Sequence, residues 1–288
     1  MFAVYKKELK SYFSNMTGYI AIAMILLMAG IIVKQVSFDG HMPQMEYALP
    51  TVTIILLLAV PIVTMRSFAE EKHQRTDQLL YTLPISTTQI VLGKYFAMLT
   101  VFTLPTLILA LLPPVLAMYG PVHYLASYSA ILTFFFLVAA MVAICMFMSS
   151  LTESQVIAAV LGSGVLILSY FAQLLSSVIP TTEVASYIAF TVLAALVALI
   201  VYHFVKNYWV AFSVAVVLEA IVLILYLVDS SLFLGLFQKS VSKIALFDIY
   251  ANTVNSQLLN LSTLVYYLSI AVLFSFLTAQ AVEKRRYS

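Results

Sequence analysis

Long apolar runs alternate with short polar stretches along this chain. A helix needs roughly 20 apolar residues to cross the hydrocarbon core of a bilayer. Reading windows of about 19 residues places such runs near residues 18–38, 47–66, 92–118, 128–150, 155–178, 185–205, 208–228 and 263–282. The pattern therefore predicts an all-α, polytopic integral membrane bundle of about eight transmembrane helices, forming one domain over residues 1–288.

Three segments break this simple alternation. Residues 1–17 precede the first run, with Phe2, Tyr5, Leu9, Tyr12, Phe13 and Met16 at helical spacing and lysines between them. This pattern predicts an amphipathic helix in the inner interface, the alternative being an ordinary basic flank. The connectors 67–91 and 229–262 are longer and more mixed, and the second is predicted to form short helices on the outer side.

The composition supports a membrane protein and excludes other classes. Hydrophobic residues make up 63% of the 288 positions and charged residues 9%, whereas soluble domains have about 45–50% and about 25%. A soluble enzyme and a nucleic-acid-binding protein are therefore excluded. The single cysteine, Cys145, cannot form an internal disulfide or a cysteine-rich metal site.

The basic residues predict the orientation. With eight spans, the side that holds the N-terminus carries most of them, and basic loops face the cytoplasm. That side carries eleven: Lys6, Lys7, Lys10, Arg66, Lys72, Arg75, Lys94, Lys206, Lys284, Arg285 and Arg286. The other side carries three: Lys34, Lys239 and Lys243. Both termini and the connector 67–91 are therefore expected in the cytoplasm.

The connector 67–91 has the pattern of a docking element. A helix is predicted from Phe68 to Leu83, stopped by Pro84. One face has Lys72, Thr76, Leu79, Leu80 and Leu83, and the rest has Glu70, Glu71, Gln74, Arg75, Asp77 and Gln78. Ser86 and Gln89 form a predicted capping box for the third span. The periodicity fits equally a helix docked on a cytoplasmic partner and a solvated connector.

A family resemblance adds to this pattern. The connector resembles the coupling segment of ABC-2 type transporter permeases, in particular that of the gliding-motility, GldF-like subgroup. The similarity lies in the order Arg66, Phe68, Glu70-Glu71-Lys72, Thr76, Leu79-Leu80, Thr82-Leu83-Pro84 and Ile90-Val91-Leu92-Gly93-Lys94. The resemblance extends to Tyr5–Phe13, Ser149–Gln155 and the end of the chain at Glu283–Arg286. The chain departs from the subgroup at Arg75 and Gln78, with its acid at Asp77. It also departs in having an apparent added helix pair, 185–228, on a six-span plan.

The resemblance implies a permease subunit of an ATP-driven transporter in the plasma or inner membrane. Two such chains, identical or related, would pair and form the pathway, and two copies of a separate ABC ATP-binding subunit would dock below them. The chain itself has no G-x-x-x-x-G-K-[ST] motif, so ATP and Mg²⁺ are expected on that partner. We expect no bound cofactor or metal, no enzymatic activity and no nucleic-acid partner, and lipids as neighbours. The alternatives are a force-transmitting or anchoring complex that uses ATP without transport, and an integral-membrane enzyme.

Glu219 stands out because it lies near the middle of the seventh run. An acid in a membrane helix costs about 2.5–3.5 kcal/mol on insertion scales. It is therefore expected to contact a proton or substrate, or to hydrogen-bond to another helix. Glu153, by contrast, is expected near the positive end of the fifth span, where Ser150 or Thr152 can cap the helix.

Overall fold

Each of the eight predicted runs overlaps one long helix of the structure, and the first and third runs also include a short helical element that follows it. A computed structural model describes residues 1–40, 44–76, 85–178, 180–205, 207–228 and 230–287, and these contain helices and no strand. The long helices are α2 (Thr17–Val33), α3 (Met45–Thr64), α5 (Thr87–Leu109), α7 (Tyr124–Leu151), α8 (Gln155–Val178), α9 (Glu183–Val205), α10 (Tyr208–Val228) and α13 (Leu261–Tyr287).

Shorter helices lie before and between the long ones in the described residues. Helix α1 (Phe2–Ser14) precedes the first long helix, and a π-helical turn, Lys34–Asp39, extends that helix. Helix α4 (Arg66–His73) follows α3, and α6 (Leu112–Leu116) follows α5. The 229–262 segment forms a 3₁₀ turn, Ser230–Phe233, and the helices α11 (Leu236–Ser242) and α12 (Leu246–Asn255). The segment therefore contains short helices as expected, whereas its placement on the outer side stays a prediction.

Six helical stretches among the described residues are long and apolar enough to cross a membrane. They are Thr17–Asp39, Met45–His73, Thr87–Leu116, Tyr124–Leu151, Gln155–Ala172 and Leu261–Arg285. The described parts of α9 and α10 contribute the shorter apolar stretches Glu183–Leu199 and Phe212–Val228. The protein is therefore an all-helical, multi-pass membrane protein.

The chain divides into two compact units. The larger comprises Met1–Leu168 and Ile249–Ser288, and its centre is α7, which packs against α3, α4, α5 and α13. In the most apolar stretch of α7, 72% of the residues are buried, because neighbours cover this helix on several sides. The smaller unit, Ser169–Asp248, contains α9 packed on α10.

Candidate coupling site

Helix α4 is the start of the segment that the sequence singles out, and it is shorter than predicted. It ends at His73, and the next residues close it with a Schellman motif. Arg75 adopts a positive φ of 56°, and the amides of Arg75 and Thr76 donate to the carbonyls of Lys72 and Glu71 at 3.2 and 2.9 Å. The prediction of one unbroken helix from Phe68 to Leu83 is therefore wrong. The other predicted coupling residues, Asp77, Leu79, Leu80, Leu83 and Pro84, lie outside the described residues.

The end of α7 holds α4 in place. The Ser149 hydroxyl accepts hydrogen bonds from the amides of Phe68 and Ala69, at 3.3 and 3.2 Å, and donates one to the carbonyl of Met65 at 3.1 Å. These two amides lie in the first turn of α4, where a helix has no internal acceptors for its N–H groups. One serine thus joins the central helix of the larger unit to the start of α4.

Lys72 makes a second connection between the same helices. Its side chain is buried, and its ammonium group donates to the Ser150 carbonyl. The sequence places Lys72 on a face with leucines, and burial of its methylene stem is consistent with that placement. Phe68 is buried on the same helix. These two side chains therefore support α4 from inside the protein.

A buried cation connects α4 to two further helices. The Lys94 side chain on α5 is only 1% exposed, and its Nζ lies 3.0 Å from Glu8 Oε1 on α1 and 2.9 Å from Glu71 Oε1 on α4. It also donates to the Ser67 carbonyl at 2.6 Å and lies 5.0 Å from the centre of the Phe68 ring. Two carboxylates, a carbonyl and an aromatic face thus surround one ammonium group. Their interactions with it compensate for its loss of hydrating water.

Gly93 allows α1 to approach α5 closely enough for this cluster. A Cβ atom built on Gly93 would lie 3.1 Å from both the Met1 carbonyl oxygen and Val4 Cβ. A side chain at this position would push α1 away. The Gly93-Lys94 dipeptide therefore has a local explanation: glycine permits the approach of α1, and the next residue supplies the cation that holds it.

A polar cavity of about 310 Å³ lies between α1 and α4. Tyr12, Arg66 and Gln74 are among the residues that line it, together with the Lys94 cluster. Burial raises the pKa of Tyr12 well above its usual range, and the nearby carboxylates of Glu8, Glu71 and Glu70 raise it further. The Tyr12 phenol therefore stays neutral and can donate a hydrogen bond.

The exposed residues lie at the end of α4 and directly after it. His73, Gln74 and Arg75 are exposed, and Glu70 is partly exposed. In contrast, the Glu71 side chain is 13% exposed and belongs to the Lys94 cluster. The described residues of the predicted coupling segment thus divide into an inner set that anchors the helix and an outer set that is exposed or partly exposed.

Sequence reasoning missed the ion cluster. It used Lys94 only for orientation and as part of a motif, and it used Glu8 only as part of the N-terminal stretch Tyr5–Phe13 that carries the family resemblance. It also missed Glu46, which is 1% exposed at the start of α3 and accepts a hydrogen bond from Ser127 at 2.9 Å. A lysine inside an otherwise apolar helix was the available signal, because such a charge requires partners.

The two acids weighed from the sequence have different surroundings. Glu219 Oε1 accepts a hydrogen bond from the Tyr187 hydroxyl at 3.0 Å, within the α9–α10 pair. Glu153 forms an ion pair with Arg285 at 2.8 Å, with a side chain that is 65% exposed. Thr152 donates to the carbonyl of Ser154 at 3.3 Å. Glu153 therefore links the start of α8 to the end of α13.

Comparison with known families identifies the class of this protein. The model of the ABC-2 family transporter protein matches residues 3–173, which is more than half of the chain. The chain belongs to the ABC-2 transporter family. An ABC-2 permease is the membrane subunit of a transporter and generally works with an ABC ATP-binding subunit. The match includes α1, α4, the start of α5 and the end of α7, so the whole Lys94 cluster lies inside it.

The remainder of this ABC-2 protein lies beyond the match. Residues 174–288 include α9, α10 and the last long helix, α13. The chain matches no curated protein and no solved structure.

Proposed function

We propose that this chain is the permease subunit of an ATP-driven ABC-2 transporter and forms its translocation pathway. The observation that carries the proposal is the way α4 is fixed: Lys94 and Ser149 connect it to α1, α5 and α7. A force applied to α4 is thereby passed to two membrane helices at once. Such a connection is suited to coupling a cytoplasmic motor to the membrane domain.

The partner in this proposal is an ABC ATP-binding subunit, present in two copies and carrying the ATP and Mg²⁺. It contacts the outer side of the coupling segment, where Glu70, Gln74 and Arg75 supply charge and hydrogen bonds. The sequence continues this surface through Asp77, Leu79, Leu80, Leu83 and Pro84, with apolar anchors of the kind that dock in grooves. Arg66, Phe68, Glu71, Lys72 and Thr76 shape and hold the segment.

The proposed assembly contains a second permease chain, identical or related. In each chain α9 and α10 cross the membrane as an added pair, which gives eight spans and places both termini in the cytoplasm of a plasma or inner membrane. The split of basic residues supports this orientation. In this arrangement α1 lies in the inner interface, and the motif order supports placement in the GldF-like subgroup.

Glu219 acts as a structural contact in this proposal. Its hydrogen bond to Tyr187, which is only partly buried, joins the two helices of the added pair, and interhelical hydrogen bonds contribute about 0.6 kcal/mol in membrane proteins. The bond satisfies an acid that would otherwise meet lipid.

The docking role is tested by reversing the outer charge of the segment. In the double variant Arg75→Glu, Leu80→Glu, the stimulation of ATP hydrolysis by the cognate ATP-binding subunit should fall at least tenfold. Co-purification of that subunit with the permease should be lost. The side chain of Arg75 is exposed, so the permease itself should still insert and fold. Lys239→Glu on α11 is the matched control and should behave as wild type. Full ATPase stimulation by the double variant would rule out the docking role.

A further inference from the structure

An apolar groove runs along the surface of the larger unit, between α5, α7 and α13. Its volume is about 490 Å³. Phe96 on α5 and Val272 and Phe276 on α13 are exposed along it, and Phe135 and Ala139 of α7 form its floor. The groove lies within one compact unit and contains none of the residues that hold α4.

One end of the groove is polar. Thr88, in the first turns of α5, and Gln280 and Glu283, near the end of α13, line it there. Among the residues that the structure describes, none forms an ion pair or hydrogen bond with Glu283, whereas the neighbouring Arg285 is paired with Glu153. The groove thus combines long apolar walls with two hydrogen-bonding side chains and an acid, Glu283, that has no partner among the described residues.

The length of the groove fits one leaflet of a bilayer. Leu268 and Glu283 both line it, and the helical rise places them about 22 Å apart along α13. The hydrocarbon core is about 30 Å thick, so one leaflet contributes about 15 Å of it. A groove that begins among the head groups and follows α13 for this distance covers the full depth of an acyl chain.

We propose that this groove binds phosphatidylethanolamine from the leaflet that the polar end faces, which is the inner one in the orientation proposed above. One acyl chain lies along Phe96, Val272 and Phe276. The lipid ammonium group meets Glu283, and Thr88 and Gln280 donate hydrogen bonds to the phosphate. Charge selects this lipid, because phosphatidylglycerol would bring an anion to Glu283 without a compensating amine. If a second copy of the chain occupied the groove instead of a lipid, that copy would need to place a cation beside Glu283.

Native mass spectrometry of the detergent-purified permease tests the binding. After exchange into a mixture of equal parts phosphatidylethanolamine and phosphatidylglycerol, the wild-type chain should retain one phosphatidylethanolamine, at least tenfold over phosphatidylglycerol. Val272→Trp should fill the groove and lose the lipid. Leu273→Trp is the matched control, because Leu273 is the next residue, is similarly exposed and does not line the groove. It should retain the lipid as wild type does.

Glu283→Gln tests the selection by charge. It should retain lipid with a preference for phosphatidylethanolamine reduced to less than threefold. Equal retention of both lipids by the wild-type chain would overturn the proposal, as would retention by Val272→Trp. Disulfide formation between two chains through Val272→Cys, in a Cys145→Ser background, would also overturn it by showing a second copy in the groove. ATPase stimulation measures the docking role separately, so either proposal can fail alone.

Discussion

Lys94 determines how the candidate coupling site is held at the scale of single residues. Its ammonium group is removed from water and lies between the carboxylates of Glu8 and Glu71. Such a cluster adds little stability compared with an apolar replacement of the whole group. Removing only the cation is different, because two partly buried carboxylates would then repel each other without compensation.

Lys94→Met should therefore destabilise the permease by about 3 kcal/mol, which lowers the midpoint of thermal unfolding in detergent by roughly 6–12 °C for a chain of this size. Lys7→Met is the control. Lys7 Nζ also lies near Glu71, at 3.4 Å, but its side chain is 62% exposed, and exposed ion pairs contribute little. Its midpoint should stay within about 2 °C of wild type. Equal midpoints for the two variants would contradict the role given to Lys94.

At the scale of elements, helix α1 packs into the helical bundle. Val4 and Tyr12 are buried, and the Tyr5 hydroxyl lies 3.0 Å from the hydroxyl of Thr100 on α5. These contacts, with Gly93 and Glu8, hold α1 against α5. The N-terminal segment is thus part of the support for α4.

Gly93→Val should separate α1 from α5, because its side chain would meet the Met1 carbonyl and Val4. Amide hydrogen exchange over residues 2–14 should become about tenfold faster, which corresponds to roughly 1.4 kcal/mol of local stability. Gly164→Val, in helix α8, is the control, since nothing lies within 4 Å of a Cβ built there. Unchanged exchange in Gly93→Val would show that α1 does not depend on this close approach.

The arrangement of the whole chain in the membrane depends on whether α9 and α10 cross it. Their described apolar stretches, Glu183–Leu199 and Phe212–Val228, are shorter than those of the other six. The rest of the protein has the same orientation in the membrane whether or not α9 and α10 cross it, because a pair of crossings returns the chain to the side on which it began. The turn between them, at Asn207, is the position at which the two arrangements differ.

Single cysteines at Gln74, Asn207 and Gln257, in a Cys145→Ser background, give the topology by labelling intact cells with an impermeant thiol reagent. In the eight-span arrangement only the cysteine at 257 should react, because 74 and 207 face the cytoplasm. All three should react after the membrane is made permeable, which controls for accessibility. Labelling at 207 in intact cells would exclude the eight-span arrangement. Labelling at 74 would show that the orientation is the opposite of the one proposed.

The sequence by itself determined the class of fold and the position of nearly every helix. The reason is that lipid tolerates only helices of sufficient apolar length here, so hydropathy alone locates them. It also located the cap at Ser86, whose hydroxyl accepts from the Gln89 amide at 3.3 Å. Capping depends on neighbours along the chain and is therefore readable from a local pattern.

The tertiary structure alone decided which charges meet and where α4 ends. Glu8 and Lys94 are separated by 86 positions, and Ser149 and Phe68 by 81, and helical periodicity carries no information about contacts over such distances. The periodicity of residues 68–83 favoured a longer helix, but the Schellman motif at Gln74–Thr76 ends it. A local pattern identified the segment that matters, whereas packing between distant helices decided which of its residues anchor it and which remain exposed.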